Sequence, residues 1–85
     1  MTLYFLEDND RFYACDANNK EIAKMTFTRI GKDKATINHT YVDPVYRGQG
    51  VADNLLNLVL KQLKQEEREI IPICSFAIKK LARKH

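Results

Sequence analysis

The chain has 85 residues, a length that suits one domain with a single hydrophobic core, and we expect that domain to cover residues 1–85. Its composition, 45% hydrophobic and 29% charged with a net charge of +3, is typical of a folded protein and excludes a disordered one. No apolar run approaches the roughly 20 residues that span a bilayer, and the N-terminus lacks the pattern of a signal peptide, so we expect a cytoplasmic protein with no membrane partner.

The first half of the chain has the pattern of β-strands. Residues 3 to 7 and 11 to 15 are rich in aromatic and apolar side chains, and the turn-forming residues 8 to 10 between them predict a hairpin. Residues 21 to 30 alternate apolar with polar side chains, and residues 34 to 43 are rich in β-branched side chains and tyrosine. These patterns predict four antiparallel strands in a meander.

The second half changes to a helical pattern after Pro44. Apolar residues recur at spacings of three and four, which predicts a helix from about Gly48 to Glu67. Residues 70 to 74, IIPIC, suit a short buried strand, and a second helix is expected from Ser75 onward. The order ββββ-α-β-α predicts an α+β fold with a mostly antiparallel sheet, helices packed against it, and a last strand parallel to the fourth.

A pair of glycines, Gly48 and Gly50, stands where the fourth strand ends and the first helix begins. Glycine lets backbone N–H groups approach a ligand, and the first N–H groups of a helix have no partner within the helix. The helix dipole and the guanidinium of Arg47 favour a phosphate as the occupant. The alternative is a tight turn without a ligand. The spacing fits neither a P-loop nor a dinucleotide fingerprint.

The stretch RGQGVA, residues 47 to 52, resembles the Q/R-x-x-G-x-G/A acyl-coenzyme A signature of the GCN5-related N-acetyltransferases. The longer stretch INHTYVDPVYRGQGVADNLL resembles the small, single-domain YjdJ-like branch of that superfamily, and the strand order, IIPIC and the closing helix match as well. The resemblance implies a minimal GNAT-like acyl-CoA N-acyltransferase fold. It also implies an acetyl-CoA-dependent N-acetyltransferase whose acceptor is an amine of unknown identity, on a small molecule or a protein lysine.

The same resemblance implies where coenzyme A binds. The pyrophosphate would be held by the loop and the start of the helix, namely by Arg47, Gly48, Gln49, Gly50, Val51 and Ala52. The pantetheine arm would hydrogen-bond, as an added strand does, to the end of the fourth strand at Tyr41, Val42 and Asp43. The fourth and fifth strands would splay apart to admit that arm.

Basic residues are concentrated at the C-terminal end: Lys79, Lys80, Arg83 and Lys84. They could simply form a solvated helix face. By the resemblance, one of Lys79, Lys80 and Arg83 could meet the adenosine 3′-phosphate. A nucleic-acid-binding domain is a third interpretation, but the basic residues are confined to one helix and no set of aromatic side chains for base stacking adjoins them, which argues against nucleic acid.

Two residues are candidates for the chemistry, Cys74 and His39. Many full-length members of the superfamily use a tyrosine after the fifth strand as an acid, and this chain has none there. Cys74 precedes a helix, whose N-terminus can make a thiol nucleophilic, although it could equally be a small buried apolar residue. His39 is in phase with Ile37 and Tyr41, and is either a half-buried histidine or a base near the acetyl group. A non-catalytic acyl-CoA-binding or sensing module is therefore the alternative function.

The remaining expectations concern thiols, metals and assembly. Cys15 and Cys74 are expected to be free thiols, with Cys15 in the core. No cluster of Cys, His and acidic residues has the spacing of metal ligands, so no metal is expected. Full-length relatives place one or two helices between their first two strands, where this chain has a short turn. We therefore expect an acceptor groove that is open or completed by a partner subunit, and a monomer or weak dimer.

Overall fold

The computed structural model describes residues 2–82, so Arg83, Lys84 and His85 lie outside the described residues. The described part contains five strands and two α-helices: β1 (Tyr4–Asp8), β2 (Arg11–Cys15), β3 (Glu21–Ile30), β4 (Lys34–Val42), α1 (Val51–Gln65), β5 (Glu69–Pro72) and α2 (Ser75–Ala82). A single turn of 3-10 helix, Pro44–Tyr46, follows β4.

The strands form one sheet in the order β1-β2-β3-β4-β5. Neighbours from β1 to β4 are antiparallel, whereas β5 runs parallel to β4. A parallel pair cannot be joined by a tight turn, and α1 supplies the crossover between these two strands. The α+β prediction, with a four-stranded meander and a parallel last strand, is therefore confirmed.

The first helix is shorter than the sequence pattern predicts. It begins at Val51 instead of Gly48, because Gly48 and Gly50 have φ angles of 79° and 80°, which no right-handed helix contains. The Gly50 carbonyl accepts the first helical hydrogen bond, from the Asn54 N–H at 3.0 Å. At the other end the helix stops at Gln65, and Glu67 has a φ of 57°. Hydrophobic spacing alone does not reveal these backbone angles.

The core lies between the sheet and the two helices. From α1 it receives Val51, Leu55, Leu56, Val59, Leu60 and Leu63. The facing sheet residues include Phe12, Ala14, Ala23, Met25, Phe27, Ala35 and Ile37, and α2 contributes Ala77. The rings of Phe12 and Phe27 stack with their centroids 6.2 Å apart. Each fully buried large apolar side chain stabilises the fold by about 1.5–3 kcal/mol.

A β-bulge in β4 reverses the faces of the sheet on which the side chains at the end of this strand lie. Phe27 pairs with Ile37 whereas Thr26 pairs with His39, so Asn38 is an extra residue in β4. The extra residue reverses the alternation of side chains. Ile37 is fully buried against the helices, while His39 is exposed. The prediction that His39 shares a face with Ile37 is therefore wrong.

Beyond the bulge, Thr40 pairs with the buried Met25, and Val42 pairs with the buried Ala23. Thr40 and Val42 therefore continue the face of the sheet on which the helices pack. His39 and Tyr41 lie on the opposite face, where both are exposed.

Glu66, the residue that follows α1, ties the helix to the sheet. Its carboxylate accepts two hydrogen bonds from Arg29 of β3, both at 2.7 Å. Gln62 and Arg68 each donate one more, also at 2.7 Å. The hydrogen bonds from Arg29 are the largest of several causes that hold the pKa of Glu66 far below its ordinary value. Because four hydrogen bonds converge on this half-buried carboxylate, Glu66 holds the end of α1 against β3.

Replacing Glu66 with Gln is expected to lower the free energy of unfolding at pH 7 by about 1–3 kcal/mol, because charge-assisted hydrogen bonds to Arg29 and Arg68 are lost. A carboxylate whose pKa is lowered by folding stabilises the protein above its unfolded pKa of about 4.3, and this contribution is lost as the pH falls through the acid range. The variant should therefore lose less stability than the wild type between about pH 5 and pH 3. Urea denaturation at several pH values measures both effects. Glu67→Gln, at the exposed neighbouring position, is the control, and equal losses in the two variants would contradict the assignment.

Candidate functional site

The strands β4 and β5 separate halfway along β4. β5 pairs only with Lys34 to Ile37. The N–H groups of Ile73 and Cys74 then both donate to the Ile37 carbonyl, at 2.9 and 3.2 Å, and the chain turns away into α2. β4 continues to Val42 with β3 as its neighbour on the other side. The two strands thus splay as predicted, and β4 has no β5 partner beyond Ile37.

The segment between β4 and α1 is held by hydrogen bonds of its own side chains. Asp43 accepts from the Val45 N–H at 3.0 Å and so caps the 3-10 helix. Arg47 donates through Nε to the Val42 carbonyl at 3.0 Å, and Gln49 donates to the Val45 carbonyl at 3.2 Å. Gly50 then caps α1 without a side-chain hydrogen bond. The first N–H groups of α1 therefore lack a capping side chain at this position.

A cavity of about 320 Å³ opens at the N-terminus of α1. A Cβ atom built on Gly48 or Gly50 would meet no other atom within 4 Å, so nothing obstructs the approach of a ligand to the backbone there. The cavity is lined by Val42, Tyr46, Arg47, Gly48, Gly50, Val51, Ala52, Asp53 and Phe76. Six of the residues predicted to bind coenzyme A are in this lining: Val42, Arg47, Gly48, Gly50, Val51 and Ala52.

The other three predicted coenzyme residues, Tyr41, Asp43 and Gln49, are not in the lining. Tyr41 is exposed on the opposite face of the sheet, Asp43 is the cap of the 3-10 helix, and the side chain of Gln49 bonds within its own loop. Sequence reasoning missed Tyr46, Asp53 and Phe76. Asp53 could have been recognised from its position in the sequence, since an acidic residue in the first turn of a helix lies near the same N–H groups as a bound anion.

Two charged side chains line the cavity, Arg47 and Asp53, and a third, Lys80, contacts Asp53 from outside the lining. The Lys80 ammonium, from α2, lies 3.0 Å from a carboxylate oxygen of Asp53 in α1. The same ammonium lies 5.7 Å from the centroid of the Phe76 ring. Of the three basic residues considered for the adenosine 3′-phosphate, Lys80 is thus connected to the cavity lining through Asp53, whereas Arg83 lies outside the described residues.

Cys74 is the N-cap of α2. Its carbonyl accepts the N–H of Ile78 at 3.0 Å, and its sulfur accepts the N–H of Ala77 at 3.4 Å. The sulfur also lies 3.4 Å from the Thr40 hydroxyl. The thiol is free and half-buried, whereas Cys15 is free and buried in the core as expected.

The side chain that β4 places against Cys74 is Thr40. His39 is the preceding residue and points to the other face of the sheet because of the bulge at Asn38. The two catalytic candidates of the sequence thus lie on different faces. No three His, Cys, Asp or Glu side chains among residues 2–82 cluster as metal ligands would. In the same range, neither helix is long and apolar enough to cross a membrane.

Comparison with known sequences identifies related proteins. Residues 11–85 match the family described as GCN5-related N-acetyl-transferase. An uncharacterized N-acetyltransferase of Methanocaldococcus jannaschii is 29% identical over 72 residues, which cover 78% of this chain and 32% of that protein. The chain thus spans about a third of the length of this curated relative.

Solved structures also resemble this chain. A GCN5-like protein from Staphylococcus aureus superposes with a TM-score of 0.78 at 30% identity, covering 96% of this chain and 80% of that one. An acetyltransferase of the GNAT family from Staphylococcus aureus Mu50 gives a TM-score of 0.72 at 14% identity, over 87% of this chain and 49% of that one, and shows the fold alone. Membership of the small YjdJ-like branch stays a prediction.

Proposed function

The chain belongs to the GCN5-related N-acetyltransferase family, and from this premise we propose that it binds acetyl-coenzyme A and transfers the acetyl group to an amine. The observation that carries the proposal is the cavity at the N-terminus of α1, where two glycines and Arg47 surround uncapped helical N–H groups. Such a site favours an anion through hydrogen bonds, the helix dipole and a guanidinium charge together. The pyrophosphate of coenzyme A is the proposed occupant.

The pantetheine arm would lie along the end of β4. Strand β5 does not pair with β4 beyond Ile37, so an extended ligand can take its place beside Tyr41, Val42 and Asp43. The Val42 carbonyl already accepts a hydrogen bond from Arg47 at 3.0 Å. A carbonyl oxygen has a second lone pair, which leaves it able to accept from the arm as well. In this position the thioester would point from the cavity toward Cys74.

For the chemistry we propose a role for Cys74. Its thiolate could attack the thioester carbon, forming an acetyl-cysteine and releasing coenzyme A as a thiolate that takes up a proton. The amine would then attack the acetyl-cysteine, forming the C–N bond and breaking the C–S bond. Alternatively, the amine attacks acetyl-coenzyme A directly and the Cys74 thiol protonates the departing coenzyme thiolate. The Ala77 N–H and the Thr40 hydroxyl lie within reach of the sulfur in both routes.

His39 is proposed as the base that takes the amine proton. It is exposed on the face of the sheet opposite the helices, from which an acceptor could approach β4. A histidine suits this task because a neutral imidazole has a ring nitrogen that can accept a proton.

A second candidate function is an acyl-CoA-binding or sensing module without catalysis. The tyrosine that many relatives use after the fifth strand is missing. In addition, β1 and β2 are joined by a tight turn at Asn9 and Asp10, where relatives have helices that help to form the acceptor site. In this function the cavity would bind the coenzyme and no acetyl group would move.

Calorimetric titration of the protein with acetyl-coenzyme A tests the proposal. Saturable one-to-one binding is expected at ligand concentrations below about 1 mM. The titrated sample is then incubated with small amines and with lysine-containing peptides, and acetylated products are measured by mass spectrometry. Binding without any product would favour the sensing module. Absence of binding at millimolar ligand would contradict both functions.

A further inference from the structure

The proposed pyrophosphate site at the N-terminus of α1 contains a negative charge of its own. Asp53 stands in the first turn of α1 and lines the cavity. A carboxylate at this place stabilises the helix, because it interacts with the positive end of the helix dipole. The same carboxylate repels a phosphate that binds to the same end. A coenzyme whose phosphates bind here must therefore tolerate Asp53 or find it neutralised.

The second helix provides the neutralising charge. Lys80 reaches across from α2 and places its ammonium 3.0 Å from the Asp53 carboxylate. The ring of Phe76, whose centroid is 5.7 Å away, supports the ammonium by a cation–π contact and itself lines the cavity. Lys80 is therefore held beside the cavity by two residues of the lining, one acidic and one aromatic.

We propose that Lys80 offsets the negative charge of Asp53 and so allows the N-terminus of α1 to accept the pyrophosphate of coenzyme A. The inference rests on the proposed function, because its ligand is the coenzyme of the same cavity. It differs from a direct contact between Lys80 and the adenosine 3′-phosphate, in which Asp53 would have no part.

The formal charges of three side chains predict the order in which the wild type and the variants should bind coenzyme A. Arg47 and Asp53 in the lining, together with Lys80 beside it, carry one net positive charge. Loss of Lys80 alone removes this charge, loss of Asp53 alone doubles it, and loss of both restores it. Electrostatic attraction of a pyrophosphate should follow the same order.

The test is a set of calorimetric titrations at low ionic strength, where screening is weak. Lys80→Ala is expected to weaken binding of coenzyme A by about fivefold, as is reasonable for one unit charge near an exposed anion. Asp53→Asn should tighten binding, and the double variant should return to within about twofold of the wild type. Lys79→Ala, which removes the same charge one residue earlier on α2, should change the affinity by less than about twofold. Thermal unfolding of each variant controls for loss of helix stability.

Dephospho-coenzyme A, which keeps the pyrophosphate and lacks the 3′-phosphate, separates the two roles of Lys80. Neutralisation of Asp53 predicts the same fold-loss for both ligands in Lys80→Ala. A loss confined to coenzyme A, or one that Asp53→Asn does not restore, would overturn the inference in favour of direct contact with the 3′-phosphate. An unchanged affinity in Lys80→Ala would also overturn it while leaving the proposed function in place. A wild type that binds neither ligand would overturn the proposed function and, with it, this inference.

Discussion

Gly50→Glu is expected to weaken the binding of acetyl-coenzyme A by at least about a hundredfold, because it places a negative side chain at the N-terminus of α1 where the pyrophosphate is proposed to bind. Gly50 lines the cavity, and a Cβ atom there meets no other atom within 4 Å, so the new side chain has room in the folded protein. The backbone φ of 80° is unfavourable for any residue with a Cβ atom. This strain lowers the stability by about 1–2 kcal/mol and leaves the fold itself intact.

The loss of stability and the loss of binding are separated by a matched variant. Gly31→Glu introduces the same side chain at a φ of 60°, in the turn between β3 and β4, and Gly31 is not among the residues that line the cavity. Its melting temperature should fall by a similar amount. Its affinity for acetyl-coenzyme A, measured by calorimetry, should equal that of the wild type. If Gly50→Glu binds the coenzyme as well as Gly31→Glu does, the RGQG segment is only a tight turn between a strand and a helix.

Most of the fold could be predicted because its pattern is local. The alternation in β3 and the helical spacing from Val51 to Leu63 each repeat often enough to fix the element and its buried face. The boundary of α1 could not be placed from the same pattern. The apolar spacing allows a helix that includes Gly48 and Gly50. Their left-handed φ angles, which the sequence does not reveal, exclude both residues from the helix.

The lining of the cavity could be predicted where it depends on a contiguous motif, and the contacts around it could not be predicted where they join distant parts of the chain. The loop from Arg47 to Ala52 was found from six consecutive residues. The pair of Asp53 and Lys80 joins two helices that are separated in sequence by a strand, and no local pattern links the two residues. The bulge at Asn38 is a third case, because one unpaired residue reverses the faces of the strand without altering the composition of the segment.

Replacing Cys74 with Ala is expected to reduce acetyl transfer by about a hundredfold or more if the sulfur carries the acetyl group, because removal of a nucleophile eliminates the covalent route. The affinity for acetyl-coenzyme A should stay within about threefold of the wild type, since the proposed pyrophosphate site lies at the other helix. The sulfur lies at the N-cap of α2, 3.4 Å from both the Ala77 N–H and the Thr40 hydroxyl. Mass spectrometry of the protein after incubation with acetyl-coenzyme A should show an acetyl group on the wild type and none on the variant.

Two further variants decide what a loss of transfer in Cys74→Ala means. Cys15→Ala removes the other thiol, which is buried in the core with 6% of its surface exposed, and should leave transfer unchanged. His39→Gln should slow transfer without affecting acetylation of Cys74, because a base for the acceptor amine acts only after the cysteine has been acetylated in the covalent route. Unchanged transfer in both Cys74→Ala and His39→Gln would remove the proposed chemistry from these residues. If the wild type binds acetyl-coenzyme A and neither the protein nor any amine is acetylated, the binding or sensing module is favoured, since retained affinity without transfer is the behaviour that distinguishes it from an enzyme.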